Sequence, residues 1–388
     1  MDNNFNLDLE LLSKELSLLI DLLKMEEEKG ITYISKTELN EIDWDIFLDL
    51  VCHHRVYSLI SSKFKSLDEG VIPLQVINSL RNLHKENTLR MLHLTGEMEQ
   101  ISKLFLENNI PILLLKGPVI AADLYGDISL RTSRDLDILI PIDNLKKADQ
   151  LLLKYGFERE EETGLMNEWK YREHHFAYFH PQKNIILEIH WRMQRLPSKE
   201  PRFKELWERK RISKLTTYPV YYLGEEDLFL YLISHGARHG WFRLRWLLDI
   251  DKTMRKMSNF TKVKLLLESY NNLHIVGQAL ILASQLLNTP IQEEMKILIN
   301  NNRSEKLAQK SLYFINCVES LDTIMSTKYY KRYLFSLKSN QQKIIFMLIF
   351  FYPSKADANT LMLPGLFHFL YFPLRPFLWA WRKTIKPS

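Results

Sequence analysis

The run Asp135-Leu136-Asp137-Ile138-Leu139-Ile140 constrains the fold more than any other segment. Its polar and apolar residues alternate, so an extended chain sends Asp135 and Asp137 to one face and Leu136 and Ile138 to the other. It therefore reads as a strand, and a strand needs partners. Three other segments have strand character. Ile112 to Leu115 is a short apolar run stopped by Lys116-Gly117-Pro118, while Phe176 to Phe179 and Ile185 to His190 flank Pro181-Gln182-Lys183-Asn184 as a hairpin.

Everything around these strands has the period of a helix. Leu9, Leu12, Leu16, Leu19, Ile20 and Leu23 recur at three- and four-residue intervals, and the same pattern covers Trp44 to Phe64 and Val76 to Leu106. Pro118, whose missing N–H costs nothing in a first turn, opens a short helix to Tyr125, and Asn144 to Tyr155 forms another, ended by Gly156. Helical patterns return at Asp227 to His239 and Phe242 to Met257. Only 12 Gly and 14 Pro in 388 residues leave few tight turns, which argues against a sandwich or barrel. The expectation is an α+β, predominantly helical protein in three parts: an N-terminal helical bundle over 1–108, a small mixed β-sheet core over 109–224, and a C-terminal helical domain over 225–388.

Several function classes drop out. With 52 Lys and Arg against 47 Asp and Glu, the net charge of +5 is no nucleic-acid signature, and no nucleic acid is expected as a partner. Cys52 and Cys317 stand alone, so neither a disulfide framework nor a structural zinc site follows from them. The first residues lack a basic region followed by an apolar run, and Ile344 to Tyr352 is about half of the ~20 residues a membrane span requires. A cytoplasmic location is expected. The stretch 361–386, rich in Leu, Phe, Tyr and Trp and ending in Arg382, Lys383 and Lys386, reads either as a contact with a membrane surface or partner or as the core of a helical domain, which accounts for most of it more simply.

The chemistry lies in three carboxylates. Asp135 and Asp137 can share one cation, and Glu188 from another strand adds a third oxygen ligand. Acidic residues within otherwise apolar strands are costly unless a cation compensates them, and oxygen ligands suit Mg²⁺ or Mn²⁺. Lys116 and Gly117 make a strand-to-helix turn whose backbone N–H groups and helix N-terminus suit a phosphate. Arg131 and Arg134 precede the acidic strand and read evenly as phosphate clamps or as solvated arginines. His190 shares a face with Glu188 and either orients it, shuttles a proton, or is simply packed. His235 and His239 have zinc-ligand spacing but no third ligand, and His53-His54-Arg55 and His174-His175 receive no role.

Leu115-Lys116-Gly117, Leu124-Tyr125-Gly126-Asp127, Arg131-Thr132-Ser133-Arg134-Asp135-Leu136-Asp137 and Leu187-Glu188-Ile189-His190-Trp191, in that order and spacing, resemble the uncharacterised bacterial nucleotidyltransferase family of the polymerase-β superfamily. The resemblance covers 109 to 195 and extends more weakly through His235-Gly236-Ala237-Arg238-His239 and Arg245-Trp246-Leu247-Leu248-Asp249. It implies that Asp135 and Asp137 hold Mg²⁺ on a nucleoside triphosphate, that Glu188 completes a second metal site and helps activate the acceptor, and that His239 and Asp249 lie near acceptor or base, although helix capping or core hydrogen bonding accounts for either residue alone more simply. The superfamily usually has Gly-Ser or Gly-Gly at the phosphate turn, and here Lys116 replaces that contact as a point charge. The activity implied is transfer of a nucleoside monophosphate from an NTP, or another nucleotide donor, to a small-molecule, peptide or protein acceptor. Glycosyl transfer from a nucleotide-sugar and a non-catalytic nucleotide-binding scaffold are the alternatives.

Overall fold

A computed structural model of the chain describes residues 5–25, 39–64, 72–160, 167–270 and 273–385. The protein is α+β and predominantly helical, with seven strands among the described residues paired in both parallel and antiparallel senses. It divides into two compact units: Met1–Leu136 with Arg202–Leu337, and Asp137–Pro201 with Lys338–Ser388. The division falls inside strand β2, Asp135–Leu139, so Leu136 ends one segment and Asp137 begins the next.

In the first unit the long helix Leu74–Glu107 buries Val76, Leu80, Met91, Leu94, Met98, Ile101 and Phe105, the stripe that a 3.6-residue period predicts. Asn109 takes a left-handed φ of 55°, and Ile110 N–H donates to Phe105 O, which ends the helix and turns the chain into β1, Leu113–Leu114. β1 runs parallel to β7, Tyr221–Tyr222, which pairs antiparallel with β6, Arg211–Ile212. The helices Glu225–Arg238, Leu244–Lys256, Leu273–Leu287 and Asn302–Ile315 add to this core, as do Lys14–Lys24, Trp44–His53 and Tyr57–Phe64. The Leu273–Leu287 helix is apolar almost all round, and its one buried amide, Gln278, donates to Leu307 O, Ser311 Oγ and Tyr333 Oη at 3.2, 2.7 and 2.9 Å. Such a buried amide is tolerated because its donors are satisfied.

In the second unit the strand order is β3 (Glu158–Arg159), β4 (His175–His180), β5 (Ile185–His190), then β2. Phe176 and Tyr178 of β4 and Leu187 and Ile189 of β5 are buried on one face, as alternation requires. Burial of each such large side chain contributes about 1.5–3 kcal/mol against exposure. The hairpin turn closes with Asn184 at φ 50° and its N–H donating to His180 O. The helix expected over 144–155 spans Leu145–Lys154, with Gly156 at φ 86° just beyond it. β2 departs from simple alternation: Leu136, Asp137, Ile138 and Leu139 are all buried and only Asp135 is half-exposed, because both faces of the strand are covered.

Candidate active site

The register of the β4–β5 hairpin assembles the first group of side chains. His175 lies opposite His190 and Ala177 opposite Glu188, so His175, Glu188 and His190 share one face, and the small Ala177 leaves room beside the carboxylate. Ile140 N–H donates to His190 O, which fixes the end of β2 against β5 and carries Asp137 to the same place. His190 Nε2 is 3.2 Å from Asp137 Oδ1 and 3.2 Å from Glu188 Oε2, so its single hydrogen is shared between two carboxylates. His175 Nε2 lies 3.8 Å from Glu188 Oε2, and His174 and His175 approach Nδ1 to Nδ1 at 3.3 Å. Ligand atoms of Asp137, Glu188 and His190 all fall within 4.8 Å of one another, and so do those of His174, His175 and His190.

The electrostatics follow from burial. Asp137 is fully buried and Glu188 half-buried. Burial alone drives the His190 imidazole toward its neutral form, but hydrogen bonds to Asp137 and Glu188, with their charges, outweigh it and raise its pKa above the ordinary histidine value. Two carboxylates thus converge on one imidazole. The donor set fits a divalent cation: the carboxylates suit Mg²⁺, and the added imidazoles also suit Mn²⁺.

The second group surrounds the phosphate-type turn and Asp135. Gly117 has φ 91° and ψ −150°, a conformation closed to side chains with a Cβ, and caps the Pro118–Tyr125 helix as its first proline turn begins. A Cβ there would meet only Leu136 Cδ2 at 3.5 Å, so the backbone conformation rather than crowding requires the glycine. Lys116 is half-buried, with Nζ 6.0 Å from the Tyr231 ring centroid. Asp135 lies within the electrostatic field of Arg55, Arg243 and Arg245. Burial and mutual repulsion push these guanidiniums down, Arg55 and Arg245 to about 9 and Arg243 to about 10, and exposed Arg134 adds to the repulsion on Arg55 and Arg243. Among the described residues, Arg243 Nε and Arg245 Nε are buried without a hydrogen-bond partner. Crowded, desolvated cations of this kind are stabilised by an anion.

Arg131 is placed otherwise. Its Nε and Nη2 donate to Asp249 Oδ1 and Oδ2, each at 2.9 Å, in a buried bidentate pair that Tyr125 Oη joins at 2.9 Å from Oδ1. The pair ties the loop before β2 to the Leu244–Lys256 helix, and Asp249 is a core partner within it. His239 accepts from Arg238 Nη2 at 3.1 Å, and its ring packs 4.7 Å from His235 and 5.2 Å from Trp246. Arg55, His174 and His175 receive no role from the sequence, Arg243 is not singled out by motif, and Arg245 enters only as the first residue of the weaker downstream motif. Their signals are faint: Arg243 and Arg245 alternate with Leu244 beside Trp241 and Trp246, and the histidines acquire meaning only from the register that sets them beside His190.

A family model described as uncharacterised nucleotidyltransferase matches residues 40–288. No curated protein matches the sequence. The crystal structure of an antigenic nucleotidyltransferase-like protein from Paracoccidioides brasiliensis is similar at 16% sequence identity and a TM-score of 0.32, over 54% of this chain and 97% of that one.

Proposed function

The chain belongs to this nucleotidyltransferase family, and from that premise we propose that it is a metal-dependent enzyme that moves a nucleoside monophosphate from a nucleoside triphosphate to an acceptor. The observation that carries the reading is the convergence of Asp137, Glu188 and His190 within 4.8 Å, with Asp135 two residues along the same strand from Asp137. Asp135, Asp137 and Glu188 would hold Mg²⁺ or Mn²⁺, which when bound neutralises charge developing on the phosphates. Lys116, the Gly117 turn and the N-terminus of the Pro118–Tyr125 helix bind phosphate oxygens. Arg55, Arg243 and Arg134 supply the positive field that a triphosphate requires. Glu188, hydrogen-bonded to His190, accepts the proton of the attacking hydroxyl or amine as the new bond to the α-phosphorus forms and the α–β bridge breaks, releasing pyrophosphate.

The test is transfer of label from an α-labelled NTP in the presence of Mg²⁺ and a metabolite extract, with product mass read in parallel. The wild type is expected to form a nucleotidyl adduct and pyrophosphate, and Asp135→Asn with Asp137→Asn to abolish both while the circular dichroism spectrum is retained. Near-wild-type turnover by the double variant removes the carboxylates from the mechanism. A hexose adduct from a nucleotide-sugar instead reassigns the donor.

A further inference from the structure

The segment 338–388 has its polarity inverted. Asp357 is fully buried, where Arg375 Nη1 and Arg382 Nη2, the latter at 2.7 Å from Oδ1, donate to it, together with Ser354 Oγ and N–H at 2.8 Å. Arg375 Nε also donates to Phe350 O, and buried Tyr371 donates through its hydroxyl to Leu361 O at 2.8 Å. Outside this polar centre stand the apolar residues: Met362 and Leu366 are each 87% exposed and Phe377 72%, with Leu348, Phe369 and Trp381 beside them in the same class. Of the large apolar side chains exposed among the described residues, nearly half fall between Ile344 and Trp381, about a tenth of the chain. Core packing therefore does not account for the aromatic stretch. Scattered exposed apolar residues are ordinary, but a concentration of this kind marks a surface that something covers.

Charge identifies the cover. Residues 338–388 hold seven lysines and arginines against one aspartate, a net +6, so the remaining residues carry −1 of the chain's +5. A second copy would bring +6 against +6. An anionic bilayer meets both properties at once, taking apolar side chains into the acyl boundary while its headgroups face the cations. The local pairings match: Lys383 Nζ lies 4.3 Å from the Trp379 ring centroid, a cation beside an aromatic ring of the kind that settles at headgroup level, and Lys338 Nζ lies 4.9 Å from that of Phe346. The elements are short, helices Asn340–Phe350, Lys355–Thr360 and Tyr371–Ile385 with a 3₁₀ turn at Gly365–Leu370, and no described helix is long and apolar enough to cross a membrane. They suit lying in the interface plane. Lys386, the last cation of the stretch, lies outside the described residues.

We propose that residues 340–385 are a docking layer for the surface of an anionic phospholipid bilayer. The layer is anchored within its own unit: Arg172 Nη2 donates to Tyr352 O, and the Tyr171 and Tyr352 rings lie 4.6 Å apart with their planes tilted at 39°, tying it to the Trp169–Arg172 helix that precedes His174.

The experiment needs no nucleotide, so its result is independent of the transferase reading. Full-length protein is sedimented with vesicles of phosphatidylcholine alone and of phosphatidylcholine mixed with phosphatidylglycerol, and tryptophan quenching by brominated lipid is recorded on the wild type. Binding is expected to the mixed vesicles, with affinity falling as salt rises and with quenching by the bromines. Leu366→Asp with Phe377→Asp, both exposed and so neutral for folding, is expected to reduce partitioning by about tenfold or more. Lys343→Glu with Lys383→Glu is expected to remove the preference for phosphatidylglycerol. Failure to sediment with either vesicle, binding that the Leu366/Phe377 variant leaves unchanged, or a concentration-dependent dimer that the same variant dissolves would each overturn the proposal, the last in favour of a second copy.

Discussion

Lys116 and Arg131 illustrate how differently two cations before an acidic strand can be used. Arg131 has its fork held by Asp249 in the core, where removal of the carboxylate would strand a buried charge. Lys116 stands at the exit of β1, next to the only backbone conformation in the turn that demands glycine, and its charge reaches His235, whose imidazole is held neutral mainly by burial and then by Lys116. Lys116→Ala is therefore expected to weaken triphosphate binding by about 1–3 kcal/mol, and monophosphate binding less. Calorimetry at two salt concentrations checks it: unchanged affinity and unchanged salt dependence would take Lys116 out of the phosphate role. The carboxylates and Lys116-Gly117 could be found in the sequence because strand alternation and a strand-turn-helix pattern are local signals. The place of Arg55, Arg243 and Arg245 beside Asp135 could not, since only tertiary packing brings residues so far apart in the chain together, although Arg245 opens the weaker downstream motif.

Long elements with clear periods are the ones sequence specifies well. The Leu74–Glu107 helix and the β4–β5 hairpin fall within a few residues of their expected bounds because each has its full apolar stripe or alternation. The two-residue strands β3, β6 and β7 have no period to read, and they exist because a neighbour offers them backbone partners. The Glu225–Arg238 helix carries a constraint that its apolar pattern hides. A Cβ on Gly236 would lie 2.3 Å from the ring of Trp241, a buried residue held at φ 60° just beyond the helix end. Gly236→Ala, which raises helix propensity by roughly 1 kcal/mol in an exposed setting, is expected here to destabilise the fold by about 1–3 kcal/mol through overpacking. A urea midpoint equal to or above the wild type's would show that Trp241 yields without cost.

Across the whole molecule, buried histidines set how stability responds to acid. His54 accepts from Leu244 N–H and is held neutral by burial first, His235 is held neutral mainly by burial, and burial pushes His274 down to about 4 from an ordinary 6.5. Their folded pKa values lie below the unfolded value, so the stability they contribute is complete above about pH 6.5 and is lost as pH falls below it, for His274 toward about 4. His190 has the opposite sign: its contribution is complete below about pH 6.5 and is lost as pH rises above it, so it does not offset the loss on the acid side. The urea midpoint is expected to fall between about pH 7 and pH 5, before most carboxylates titrate. A midpoint that rises or stays level over that range would mean that these imidazoles are solvated. The inverted layer has a consequence of another kind. With ion pairs inside and Met362, Leu366 and Phe377 outermost, the molecule is a surfactant in the colloid chemist's sense. Any boundary between water and a less polar phase, air and plastic included, lowers its free energy by removing that apolar area from water. In dilute solution the vessel wall and the meniscus then compete for the protein, and the amount in the bulk follows an adsorption isotherm instead of the amount dispensed.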